Sequence, residues 1–188
     1  MTLISRAISK LTTERVSLAP SAFGGSPGYL GGGSPQGQLA QMETFSQVGW
    51  LFGVITRIWE GVIDANWRLY DTRGAARREL LSHPFLDLWA SINPFYTRAD
   101  LLETSGQHLD LVGEIWWLVV YGPNRQPVEL WPLRPDRVSP VRDKEKFIAG
   151  YIYRVGTERV PLEVEDVIFS RRPNPLDPYR GIGPVGAL

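Results

Sequence analysis

Gly113-Glu114-Ile115-Trp116-Trp117-Leu118-Val119-Val120-Tyr121, then Gly122-Pro123-Asn124, then Val128-Glu129-Leu130-Trp131-Pro132-Leu133, is the stretch on which the fold turns. Its first run is β-branched and aromatic, its middle is turn chemistry, and its last run is again extended. The pattern predicts a β-hairpin. Adjacent residues of a strand point to opposite faces of the sheet, so Trp116 and Trp117 cannot share one core. Either both faces are covered by helices, or one indole serves an intersubunit or ligand surface, where tryptophan is a frequent anchor. With two helices visible in the sequence, the second arrangement is the expectation, and Trp116 and Trp117 are the candidate intersubunit contacts.

Working outward, Pro132, Pro135 and Pro140 confine the next segment to a sheet edge or an extended loop, because proline cannot donate to a ladder. Residues 148–155 and 160–169 are read as two more strands, separated by Gly156. Upstream, Thr97 and Asp100 signal a capping box before a helix carrying Leu101, Leu102, Ser105, Leu109 and Val112, which Gly113 closes. Earlier still, Val48, Leu51, Phe52, Ile55, Ile58, Trp59 and Val62 recur at helical spacing, with Arg57 and Glu60 placed to pair. Residues 65–70 alternate like a half-buried strand and end in a turn at 71–74. The fold class is α+β, a mainly antiparallel sheet packed with two or three helices. Residues 1–43, rich in Gly, Ser and Pro between 19 and 38, are expected to be a flexible arm, and residues 44–188 the folded domain.

Composition narrows the function. Of 188 residues, 43% are hydrophobic and 21% charged, the balance of a globular chain. Twenty basic residues offset twenty acidic ones, so the chain lacks the positive field that holds proteins on phosphate backbones. There is no cysteine, which excludes disulfides, thiolate metal sites and thiol nucleophiles. Arg6 and Lys10 precede no apolar signal region, and the apolar run at 45–63 is interrupted by Ser46, Gln47, Arg57 and Glu60, so neither a secretory signal nor a membrane span is expected.

Catalytic patterns are few. His83 precedes Pro84 in a turn and His108 lies on the second helix; both read as structural or surface histidines, and no metal-ligand spacing includes them. Gly181, Gly183 and Gly186 satisfy GxGxxG, but prolines 173, 175 and 178 precede them where a dinucleotide fold needs a strand, so the match is read as accidental. Gly31–33 lack the Gly-Lys-Ser/Thr of a phosphate loop. Glu163, Glu165 and Asp166 form an acidic knot, read as a solvated strand edge in preference to paired catalytic carboxylates. Arg171, Arg172 and Arg180 are read as a local concentration of positive charge and the candidate DNA or partner contacts.

The order of these features resembles the portal proteins of HK97-type tailed phages. The resemblance runs from about Val48 to the end of the chain. It is carried by the aromatic-rich helix leading to Trp67-Arg68-Leu69-Tyr70, by His83-Pro84 with Leu86 and Leu88, by Asn93-Pro94 before a helix, and by Gly113-Glu114 opening the apolar strand. Glu129-Leu130-Trp131-Pro132-Leu133, Pro135 and Val138 follow, then Tyr151-Ile152-Tyr153, Glu165-Asp166-Val167-Ile168, and Tyr179-Arg180-Gly181-Ile182-Gly183-Pro184-Val185. Glu114 stands where the family more often has Asn or Asp, Phe169 where it has His, and Gly183 where it has Ser, which marks a distant member.

The resemblance implies a non-enzymatic subunit, without cofactors, of a ring at one capsid vertex of the virion. That ring, a dodecamer in the family, conducts double-stranded DNA during packaging and ejection. Its implied partners are the major capsid protein, the terminase large subunit and the head-tail adaptor, and residues 44–188 correspond to its outward wing. Ring contacts belonging to later segments of the family's chains lead to the expectation that these 188 residues alone are monomeric or weakly associating. Two rivals stand beside this reading: a glycan-binding module or glycan-active enzyme built on exposed tryptophans and the Glu163, Glu165, Asp166 knot, and a different phage head or connector protein.

Overall fold

The computed structural model describes residues 34–187 apart from Ala75. The expected arm therefore lies outside the described residues as far as Gly33, but its remainder is not an arm. Helix α1 (Pro35–Gln47) starts on Ser34, whose hydroxyl accepts from Gly37 N at 3.0 Å, with Pro35 preset in the first turn. Helix α2 (Gly49–Ile63) follows at once. Its inner face, Leu51, Ile55 and Trp59, packs on helix α4 (Arg98–Leu111). Gly106 permits that approach, because a Cβ there would lie 1.9 Å from the Trp59 ring. The indole then donates to Asp110 Oδ2 at 2.7 Å. The exposed Arg57 and Glu60 pair at 2.8 Å.

Residues 65–69 are not a strand. The chain pairs only at Tyr70–Asp71 (β1) with Arg78–Glu79 (β2), a ribbon too short to bury a face, and Trp67 packs instead on Trp89. Trp89 belongs to helix α3 (Pro84–Ala90), where a turn was expected at His83. The His83 ring caps it, accepting from Phe85 N through Nδ1 at 3.1 Å. Helix α4 carries the predicted capping box: Thr97 N donates to Asp100 Oδ2 at 2.8 Å, and Asp100 N to Thr97 Oγ1 at 3.2 Å. Gly113 ends it with φ of 81°, a conformation glycine adopts without steric cost.

The predicted hairpin is β3 (Glu114–Tyr121) against β4 (Pro127–Pro132), with Leu118 opposite Trp131. Where one sheet was expected there are two larger ones. The first has strand order β4-β3-β8, with β8 at Val167–Arg171. The second has order β5-β6-β7, formed by Val138–Asp143, Phe147–Val155 and Glu158–Leu162. The run read as a single strand over 160–169 is thus two strands in different sheets. The acidic knot is the 3-10 turn Val164–Asp166 by which the chain changes sheet. Pro140 sits in β5, an edge strand, as its missing N–H requires.

The sheets share a core built on Trp116, which is fully buried. Its ring stacks on its cross-strand neighbour Phe169 at 3.7 Å and meets Tyr151 of the second sheet edge-on at 5.1 Å. Trp117 points the other way, into a second core with Leu88 and Ile92, Leu101 of α4 and Leu130 of β4. Its indole donates to Ser105 Oγ at 2.7 Å. Both faces of β3 are therefore covered, one by a sheet and the other by helices. For Trp116 the expectation of an intersubunit contact is corrected, because it is a core residue; Trp117 is half-buried, with its indole N–H engaged by Ser105.

Candidate functional site

The three candidate arginines do not converge on a surface. Arg180 is buried, and its guanidinium is the centre of a network that joins four separate parts of the chain. Nε lies 3.1 Å from Glu114 Oε1, Nη1 donates to Val138 O at 2.8 Å, and Nη2 donates to Gln38 Oε1 of α1. Glu114 and Gln38 are themselves fully buried. Glu114 uses its remaining capacity on the Gly181 N–H, at 2.7 Å, and on the Trp116 indole N–H, at 2.9 Å. Burial pulls the Arg180 pKa below the ordinary arginine value, while Glu114 and Asp177 oppose that shift. A buried guanidinium with these partners fixes the packing of α1, β3 and the 180–183 segment. It is closed to a phosphate, so the assignment of Arg180 as a DNA contact is corrected.

Arg172 is spent locally. Its Nη2 donates to Asp110 Oδ1 at 2.5 Å, and its N–H to Gly113 O at 2.9 Å. Asp110 thereby links α2, α4 and the segment after β8, because it also accepts from Trp59. Arg171, half-buried, ends β8 opposite Glu114. Gly181 and Gly183 of the GxGxxG match have a packing role here. A Cβ on Gly181 would lie 2.1 Å from Gly113 O, and one on Gly183 2.5 Å from Leu111 O, so two backbones cross in contact at the end of α4.

The acidic knot does not form a pair of catalytic carboxylates on a strand face. Glu165 is exposed and bound to Arg125 at 2.8 Å, and its carbonyl accepts from Tyr121 Oη at 2.9 Å. Asp166 has its pKa raised by burial first, then by the Glu163 and Glu165 charges. His108, half-buried beside the Pro135–Arg137 turn, has its pKa lowered to about 4 by desolvation, with Arg134 adding to the shift and Asp136 opposing it. Among the described residues no group of three or more His, Asp or Glu is arranged to hold a metal ion. Nor is any described helix long and apolar enough to cross a membrane.

Among the described residues there is an apolar groove of about 380 Å³. Its floor is Trp117, Val119 and Leu130, its walls are Trp67, Phe85 and Trp89, and Arg68, Glu165 and Ile168 reach its rim. Sequence reading missed it because α3 went unrecognised. The available signal was Phe85 and Trp89, four apart directly after Pro84, which stack at 5.8 Å on one helical face.

The family model described as phage portal protein matches residues 50–188. The fold is similar to a chain in the neck of an empty GTA particle computed with C6 symmetry, with TM-score 0.75, 25% identity, and coverage of 90% of this chain and 45% of that one. A chain in the neck of a native GTA particle computed with C12 symmetry is similar at TM-score 0.70 and 23% identity, over 82% of this chain and 40% of that one. A chain in the virion of a native gene transfer agent particle matches at TM-score 0.71 and 22% identity, over 96% of this chain and 45% of that one. The chain thus spans less than half the length of these structures. No curated protein matches it.

Proposed function

The chain belongs to the phage portal protein family, matched over residues 50–188, and on that premise we propose that it is a structural subunit of a portal ring at the vertex of a phage-like particle. In this reading the ring contains twelve copies and conducts double-stranded DNA during packaging and ejection. It docks the terminase large subunit and the head-tail adaptor and sits in the shell of the major capsid protein. Residues 44–188 form the wing, and assembly takes place in the host cytoplasm. The observation that carries the reading is the family match across nearly the whole folded region, supported by likeness to a chain from a particle neck of cyclic symmetry.

The interior agrees with a structural part. Buried Arg180, Glu114 and Asp110 hold distant segments together, and the adjacent tryptophans and the acidic knot on which a glycan site was read have packing roles. Trp116 is in the core, the Trp117 indole N–H is bonded to Ser105, and the acidic knot is a turn between sheets. The subunit is accordingly read as having no catalytic activity.

Immunogold labelling of purified particles tests the proposal. Label confined to one vertex or to the neck is expected, and particles made without the gene should be DNA-free. Filled particles in its absence would overturn the reading.

A further inference from the structure

Two apolar surfaces among the described residues have no partner within the chain. One is the outer face of α2, where Trp50, Val54 and Ile58, four apart, are 71%, 51% and 54% exposed. Open space surrounds the neighbouring Gly53 and Gly61, so another backbone can approach closely along this face. The other is the groove between Trp67, α3 and the β4-β3-β8 sheet. A ridge bearing a large aromatic and a cleft that admits an indole are complementary shapes, and apolar patches of this kind mark interaction sites.

We propose that the α2 ridge of one subunit seats in the aromatic groove of the next copy, with Trp50 as the anchor. This inference rests on the ring reading above. The occupant is a second copy because closed cyclic assemblies repeat a head-to-tail contact. Each subunit must then present two different surfaces that fit one another, which a self-complementary patch does not provide. A chain with a similar fold comes from a neck computed with C6 symmetry. Charge does not oppose the contact. The exposed pair Arg57 and Glu60 flanks the ridge, the exposed pair Arg125 and Glu165 flanks the groove, and Arg57 can exchange its partner for Glu165.

The cysteine-free sequence makes the test direct. Particles are assembled from an equal mixture of protein carrying Val54→Cys and protein carrying Ile168→Cys, then oxidised. Phe85→Cys, on the opposite wall of the groove, replaces Ile168→Cys if that variant melts early. The expected result is a dimer containing one of each variant, with neither variant cross-linking to itself, and a ladder of higher species from the doubly substituted protein. Trp50→Ala should lower the cross-linking yield about tenfold. Self-cross-linking of Val54→Cys alone would show a two-fold contact and overturn the proposal. A ring visible by electron microscopy without the mixed cross-link would also overturn it while leaving the ring reading intact, whereas absence of the chain from every ring would remove both.

Discussion

Arg180 and Glu114 show how a charge can be a structural component in a chain with no net charge. Each is buried, and each spends most of its hydrogen-bonding capacity on backbone and side chains of distant segments. Removing one partner leaves the other charge buried and uncompensated, which typically costs about 3–5 kcal/mol. Arg180→Met and Glu114→Gln should each lower the unfolding free energy in urea by that order, and the two together should cost less than the sum, as a double-mutant cycle would show. Equal additivity would mean that the two groups do not act as a pair. His108 gives a second test. Its folded pKa of about 4 lies below the ordinary 6.5, so the unfolded chain takes up the proton first as pH falls. Stability is complete above pH 6.5 and declines towards pH 4, by at most about 3 kcal/mol at 1.36 kcal/mol per unit. Asp166, raised by burial and by Glu163 and Glu165, works in the opposite direction. The readout is therefore the difference between the parent and His108→Gln in urea midpoints at pH 7 and pH 4.5, a difference that should shrink as pH falls.

Among the elements, the well-formed signals were the local ones. Thr97 and Asp100 stand at the spacing of a capping box and make both of its hydrogen bonds, so Thr97→Ala should cost about 1 kcal/mol in thermal unfolding. The β3-β4 hairpin follows from composition and turn chemistry alone. What escaped the sequence was set by distant contacts. Helix α1 is polar, and the residue that docks it, Gln38, is held by Arg180, 142 positions later. Helix α3 is seven residues long, too short for a period to emerge. The alternation of Trp116 and Trp117 was legible, but the sheet covering one of them was hidden in a run that looked like a single strand and changes sheet at Val164–Asp166. The three arginines were legible as a cluster in sequence but not in space. The glycines at 181 and 183 matched a nucleotide motif because close backbone approach calls for glycine whatever is approached. Gly181→Ala should therefore destabilise the fold more severely than the loss of a cap, since its Cβ would lie 2.1 Å from the Gly113 carbonyl oxygen. A melting temperature within a degree or two of the parent would contradict that contact.

At the scale of the whole molecule, the charges that remain available set how strongly these residues can attract a polyanion such as DNA. Twenty basic and twenty acidic residues cancel, and much of what the sequence offered as a positive cluster is consumed internally. Arg180 is closed off in the core and Arg172 is bound to Asp110, which leaves Arg171 as the member without such an engagement. The sequence-level expectation of three phosphate contacts implies a fall of two to three log units of affinity per log unit of salt, because each contact releases about 0.9 counterion. With one or two contacts the slope drops to about one to two. Fluorescence anisotropy of a labelled duplex between 50 and 200 mM salt should give this shallow slope without dependence on base sequence. Arg171→Ala should reduce it by about one unit, whereas Arg180→Met should leave it unchanged so long as the fold persists. A slope that falls with Arg180→Met in a folded protein would mean that DNA reaches a cation which the fold encloses.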